Sequence, residues 1–337
     1  MSRELRRAAL REVMDRLGLG ALVLRRPANF AWYTGGADNR VDHASALGVA
    51  AVLLTAGTEH VLTDNIEAPR MREEVTSDLG VLEHPWYVDP GDLIRDLADG
   101  SPVGADSPTE RGRDVGEEIS PLRYVLDAEA LGRYRDLGAE ATAAVSETAA
   151  AIDPRTDEFE AAAILAAACR RRGMFAPVLL AASEDRFSRY RHPVPHGGPL
   201  GRRAMLVVCA ERGGLYANLT RLVEFEAPDA QTARRQRACE NILRRMREEA
   251  TRPGRTLAAA FDDGRRFYDE EGFPEGWKDH HQGGLTGYAS REIVAGPNTQ
   301  HEIHPNQAFA WNPSLVGAKA EETFVLTDAG PEVIAHS

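Results

Sequence analysis

The stretch GGLYANLTRLVEF, residues 213–225, reads as an apolar strand that ends on a polar corner. Side chains alternate between faces along a strand, so Asn218 and Thr220 point together and Arg221 points the other way. Alone, such a corner reads as strand-edge hydrogen bonding. Its surroundings define the fold. Two Ala-rich helical runs, 127–152 and 156–173, are broken at DPRT and lead into the strand-like runs PVLLAA and AMLVVCA ahead of it. Behind it come two further helices, 229–249 and 257–271, then strands with AFAWNPSLV and the hairpin ETFVLTDAGPEVIA as the clearest members. Helices laid in pairs against an antiparallel sheet predict an α+β domain over residues 127–337.

The preceding part of the chain has a different rhythm. Leu5, Leu10, Val13, Met14 and Leu17 recur at helical spacing, and ALVLR follows as a short buried strand. Strands at GVAAVLLTA, EHVLTD, GVLEH and PVGAD alternate with helical patterns at IEAPRMREEV and GDLIRDLAD. This alternation predicts a smaller α/β domain over residues 1–122, closed by the turn-rich stretch 100–116.

Composition narrows the function. Forty basic residues against 52 acidic ones give a formal charge of -12 in a chain of 337 residues, 43% hydrophobic. That balance argues against nucleic acid and anionic membranes as partners. The longest apolar run, LGVAAVLLTAG, is too short to span a bilayer, and the basic start lacks a signal peptide's apolar core, so a cytoplasmic protein is expected. Cys169, Cys209 and Cys239 are far apart and in no CxxC pair, which predicts free buried thiols.

Four polar clusters interrupt the apolar pattern, and all lie in the second domain. RYRHPVPHGGPL places His192 and His196 in a loop entering a strand, and an imidazole there can serve as acid or base. The second cluster is Asn218, Thr220 and Arg221. The third, DHHQGGLTGYASRE, gathers Asp279, His280, His281, Gln282, Thr286, Tyr288, Arg291 and Glu292 around Gly283 and Gly284. Glycines permit close backbone approach to a ligand, and neighbouring His and Tyr can donate to a developing oxyanion. The fourth, AWNPSLVGAKAEETF, brings Asn312, Lys319, Glu321 and Glu322 into strands built for burial. A carboxylate there needs a partner, either Lys319 or an arginine, because an unpaired buried charge is costly.

In this order the clusters resemble the creatinase and aminopeptidase P superfamily of peptidase family M24, and the resemblance covers nearly the whole chain. It implies a C-terminal pita-bread domain preceded by a creatinase-type N-terminal α/β domain. In that family's peptidases two Asp, one His and two Glu surround a pair of divalent metals that activate water. Carried over by motif, the substrate-contacting loop His falls on His192. The two Asp fall on Cys209 and on Asn218 of NLTR, the ligand His on His281 of HQGG, the two Glu on Asn312 of NP and Glu321 of EET, and a second catalytic His on Tyr288. Two ligands are kept and three are lost, so no metal cofactor is expected. One alternative keeps a single metal on His281 and Glu321, with Cys209.

The resemblance to creatinase, the metal-free branch, is strongest at GGLTGYASRE. It implies a metal-independent hydrolase or lyase acting on a C–N bond of a small amide- or amidine-like carboxylate, with His192 as acid or base. Glu321 is expected to pair with a protonated His281. Tyr288, Asn218, Thr220, Asn312, Cys209 and Gln282 are expected to surround the substrate, and Arg291 or Arg221 to hold its carboxylate. A metal-dependent Xaa-Pro aminopeptidase and a non-enzymatic peptide-binding protein are the alternatives. Family members commonly pair, so a homodimer is expected, with Asn39, Arg40 or His43 reaching the partner's site.

Overall fold

The computed structural model describes residues 2–76, 78–108 and 112–336. They fall into two compact units, Met1–Tyr124 and Val125–Ser337.

In the first unit, helix Arg3–Leu17 starts on a Ser2 cap and stops at Gly18, whose φ of 66° lies in the left-handed region. Its apolar stripe of Leu10, Val13 and Met14 is buried. The sheet has six strands: β1 (Ala21–Leu24), β2 (Ala50–Thr55), β3 (Glu59–Asp64), β4 (Val81–His84), β5 (Val103–Ala105) and β6 (Arg113–Asp114), in the order β4-β3-β2-β1-β5-β6. The short strand β6 lies inside the stretch expected to be turns only. Just past β5, the buried Asp106 carboxylate accepts from the backbone N–H groups of Arg25 and Arg26 and from Asn29 Nδ2, which fixes the turn leaving β1.

In the second unit, helices Ala128–Ala151, Glu158–Arg171, Ala230–Arg245 and Leu257–Glu270 begin on the caps Asp127, Asp157, Asp229 and Thr256. The strands are β7 (Phe175–Ser183), β8 (Arg203–Arg212), β9 (Leu215–Glu224), β10 (Gly283–Thr286), β11 (Ile293–Val294), β12 (Ala308–Trp311), β13 (Ser314–Leu315), β14 (Ala318–Lys319), β15 (Glu322–Thr327) and β16 (Gly330–Ala335). They build a three-stranded sheet, β7-β8-β9, a five-stranded sheet, β11-β10-β12-β15-β16, and the β13-β14 pair. AFAWNPSLV, expected as one strand, breaks into β12 and β13 around Asn312 and Pro313, because proline has no N–H to give a ladder. Among the described residues, no helix is long and apolar enough to cross a membrane.

The two larger sheets meet at one seam. Thr220 N–H donates to the Glu321 carbonyl at 3.3 Å, as an isolated antiparallel bridge between β9 and the residue before β15. Two residues along, Thr323 Oγ1 accepts from Asn218 N–H at 2.8 Å and donates to the Asn218 carbonyl at 2.9 Å. Behind the seam, helix Ala128–Ala151 comes so close to β16 that a Cβ on Gly138 would sit 2.1 Å from the Ile334 carbonyl oxygen.

Gly283 and Gly284 serve packing rather than ligand approach, which corrects the reading from sequence. A Cβ on Gly283 would lie 2.0 Å from the Ala310 carbonyl oxygen on β12, and one on Gly284 2.2 Å from that of Ile293 on β11. Their φ angles of 103° and 147° are ones that other residues rarely adopt.

Candidate functional site

The seam delivers Glu321 into the interior, 4% exposed. Its carboxylate takes Thr220 Oγ1 at 2.7 Å and Lys319 Nζ at 2.9 Å on Oε2, and Arg291 Nη2 at 3.0 Å on Oε1. Lys319 reaches it because residues two apart share a strand face, and Arg291 arrives from the turn after β10. Burial alone would raise the Glu321 carboxyl, but the charges of Lys319 and Arg291 outweigh it and bring it down to about 2. Sequence left open whether Lys319 or an arginine pairs with Glu321; both do. The cluster is one anion held by two cations.

Around it stand neutral groups. Asn218 is fully buried; its Nδ2 donates to Thr286 Oγ1 at 3.3 Å, and its Oδ1 is left without a partner. Asn312, 3% exposed, gives its backbone N–H to the Gln282 carbonyl at 3.1 Å, and its Oδ1 is also unpartnered. Cys209 sits opposite Asn218 in the β8–β9 register, and burial followed by the Glu321 charge pushes its thiol up to about 12. The Cys209 sulfur is therefore a thiol at neutral pH.

The histidines form the second half of the site. The Arg191–Asp279 ion pair, at 3.0 Å, ties the loop of His192 to the stretch carrying His280 and His281. His280 Nδ1 lies 2.6 Å from the His281 carbonyl and its Nε2 lies 3.0 Å from His192 Nε2, while the His280 and His281 rings stack with centroids 4.4 Å apart. The carbonyl can only accept, so His280 Nδ1 carries the hydrogen and its Nε2 is a bare lone pair. His192 must then donate from Nε2, which leaves its Nδ1 as the free base. Burial, followed by the neighbouring His281 charge, lowers His280 to about 3. Burial and then Arg291 lower His281 to about 4, and burial and then Lys319 lower His192. All three are neutral imidazoles at neutral pH.

This corrects the expected pairing of Glu321 with a protonated His281. Glu321 does favour the charged form of His281, but burial and Arg291 outweigh it, and the carboxylate already holds two cations. Other expected residues are engaged elsewhere. Gln282 donates from Nε2 to the carbonyls of Trp277 and His280, at 3.1 and 2.7 Å, so both its N–H groups clamp the histidine loop rather than face a ligand. Tyr288 is 2% exposed and accepts from Arg133 Nη2 at 2.9 Å. Arg221 turns away from the seam to Ser146 Oγ at 3.1 Å, which leaves Arg291 as the arginine at the site. Arg40, in the first unit, forms a two-point pair with Asp38 at 2.8 and 2.9 Å.

His280, a member of the third cluster with no role assigned to it from sequence, turns out to be central. An HH pair on an ideal strand would send one ring to each face, but the 3-10 turn Gly276–Asp279 precedes it and both rings end on one side, stacked. A cavity of about 530 Å³ also borders the seam, lined by Thr220, Glu321, Lys319, Gln236, Arg244 and Arg247 among others. None of the three histidines lines it, so the acid–base groups lie outside this hollow.

Comparison with known proteins identifies the family. The pattern of Metallopeptidase family M24 matches residues 132–328, and that of the Creatinase/Prolidase N-terminal domain matches residues 6–110. No curated protein matches the sequence. Among solved structures, the prolidase from Pyrococcus horikoshii OT3 superposes with a TM-score of 0.82 at 16% identity, covering 98% of each chain. Dipeptidase PepE from Mycobacterium ulcerans gives 0.80 at 20% identity, covering 99% of this chain and 96% of its own. The N-terminal domain of the FACT complex subunit SPT16 from chickpea (Cicer arietinum) gives 0.73 at 15%, covering 99% of this chain and 96% of its own. With both domain patterns matched in order, the chain belongs to the creatinase and aminopeptidase P superfamily of metallopeptidase family M24, a pita-bread domain preceded by a creatinase-type N-terminal domain.

Proposed function

We propose that the protein is a hydrolase that cleaves a carbon–nitrogen bond in a small amide- or amidine-like carboxylate without a metal, using His192 as acid and base. The observation that carries this reading is the state of Glu321. A dinuclear divalent centre of the family type needs four carboxylates and a His; here one carboxylate remains, and Lys319 and Arg291 already neutralise it. Asn218, Asn312 and the Cys209 thiol supply no negative charge in the other places. The residues do not fit the family's metal pair, and its positive charge is taken over by two side chains.

His192 Nδ1, free because Nε2–H is given to His280, takes a proton from water as the water oxygen attacks the substrate carbon. The same nitrogen then passes that proton to the departing nitrogen, which closes the proton balance. The excess positive charge of Arg291 and Lys319 over Glu321 favours a substrate carboxylate. The buried, unpartnered Oδ1 atoms of Asn218 and Asn312 are acceptors that substrate N–H groups would satisfy.

The test is a panel of Xaa-Pro dipeptides and small amidino and carbamoyl carboxylates, incubated with chelator in ¹⁸O-labelled water. Turnover with one ¹⁸O in the product carbonyl supports hydrolysis by this route. Turnover without label would show an elimination, and turnover only on added manganese or cobalt would overturn the metal-free assignment.

A further inference from the structure

The three histidines offer more than acid–base chemistry. His192, His280 and His281 each present a ring nitrogen, and the three nitrogens lie within 4.8 Å of one another. We infer that His192, His280 and His281 form a mononuclear site for a single zinc-class transition-metal ion, sharing only His281 with the family's dinuclear position, and that filling it switches off the acid–base role of His192. The switching clause rests on the function proposed above; the binding clause does not.

Geometry supports the site. Zinc–imidazole bonds of about 2.0–2.1 Å at tetrahedral angles put neighbouring nitrogens about 3.3 Å apart. His192 Nε2 and His280 Nε2 are already 3.0 Å apart. The widest separation, 4.8 Å, needs about 1.5 Å of closing, and His192 and His281 both keep part of their surface open to solvent and can turn to give it. His280 is the fixed member, with its Nδ1–H held by the His281 carbonyl so that Nε2 points outward as a lone pair. That is the outer hydrogen bond that orients metal-binding histidines. The Arg191–Asp279 ion pair holds the His192 loop beside it. Three neutral imidazole nitrogens suit zinc, copper or nickel, and give magnesium, calcium or manganese little reason to bind.

The coupling to chemistry follows from one proton. Without metal, neutral His192 carries its hydrogen on Nε2 and keeps Nδ1 free. A metal on Nε2 takes that lone pair, and the single ring hydrogen moves to Nδ1, so the free base is lost. This member of a metallopeptidase family is thus inhibited by a transition metal rather than activated.

Metal-stripped protein titrated with cobalt(II) and followed by its visible spectrum, with zinc competition for stoichiometry, tests the binding clause without any substrate. One equivalent is expected, with a tetrahedral spectrum of three imidazole nitrogens and a water and no sulfur-to-cobalt band. His280→Ala and, on the exposed loop, His192→Ala should each weaken binding by roughly tenfold or more. Cys209→Ser and Asn312→Ala should leave it within about twofold. No binding, two equivalents, a sulfur-to-cobalt band, or affinity lost in the Cys209 and Asn312 variants but kept without His280 would each overturn the site. If binding holds but zinc does not slow turnover, the switching clause fails while the site stands.

Discussion

Glu321→Gln removes the anion that pairs with Lys319 and Arg291 and leaves the shape of the site nearly unchanged. Lowering the Glu321 carboxyl from 4.5 to about 2 corresponds, at about 1.4 kcal/mol per unit, to about 3 kcal/mol of folding stability. Removing one partner from a buried ion pair costs a similar amount, about 3–5 kcal/mol, because the remaining charge is left uncompensated. The sign with pH follows from the direction of the shift. A depressed carboxyl contributes fully above its unfolded value of 4.5, and the contribution is lost as pH falls from there towards about 2. Urea unfolding of both proteins from pH 7 to pH 3, with hydrogen exchange of the β15 amides to follow the second unit, should show a gap of about 3 kcal/mol at pH 7 that narrows below pH 4.5. A gap under about 1 kcal/mol at pH 7, or one that stays constant down to pH 3, would refute the ion-pair account of Glu321.

Three further outcomes follow. His192→Ala should cut kcat by about 10²–10⁴. Because burial and Lys319 lower its pKa, the base form of His192 persists below the ordinary value, so the acid limb of kcat/KM in wild-type enzyme should fall below pH 6.5; a limb at or above that value would contradict the assignment. Cys169, Cys209 and Cys239 are buried, and burial raises each thiol, to about 11 for Cys169 and about 12 for Cys209. A thiol reagent at pH 8 should therefore label none of them until denaturant is added, and rapid labelling of native protein would contradict this packing.

The sequence carried the fold well because period and punctuation were unambiguous. The DPRT break and the caps Asp127, Asp157, Asp229 and Thr256 delimit the helices, and the ETFVLTDAGPEVIA hairpin forms as β15 and β16. The family followed from clusters whose order is a property of the chain itself. The site was legible only as a set of positions. Strand alternation correctly placed Asn218 with Thr220 and set Arg221 apart, since that rule is local. It could not show that Arg291 swings onto Glu321, because that contact spans 30 residues and depends on a turn. Nor could it reveal His280, whose role comes from a 3-10 turn that overrides the alternation expected of an extended HH pair. Gly283 and Gly284 misled for a related reason: from sequence, a glycine required by a neighbouring strand and one required by a ligand look the same.

The central claim is that Lys319 and Arg291 have taken the place of the family's metals. It is tested most directly by turnover of the protein after exhaustive stripping, with residual metal counted by elemental analysis on the same sample. The account predicts that the metal-free protein works at least as fast as the protein before stripping. Activity that disappears with the metal and returns in proportion to manganese, cobalt or zinc, up to two equivalents, would contradict it.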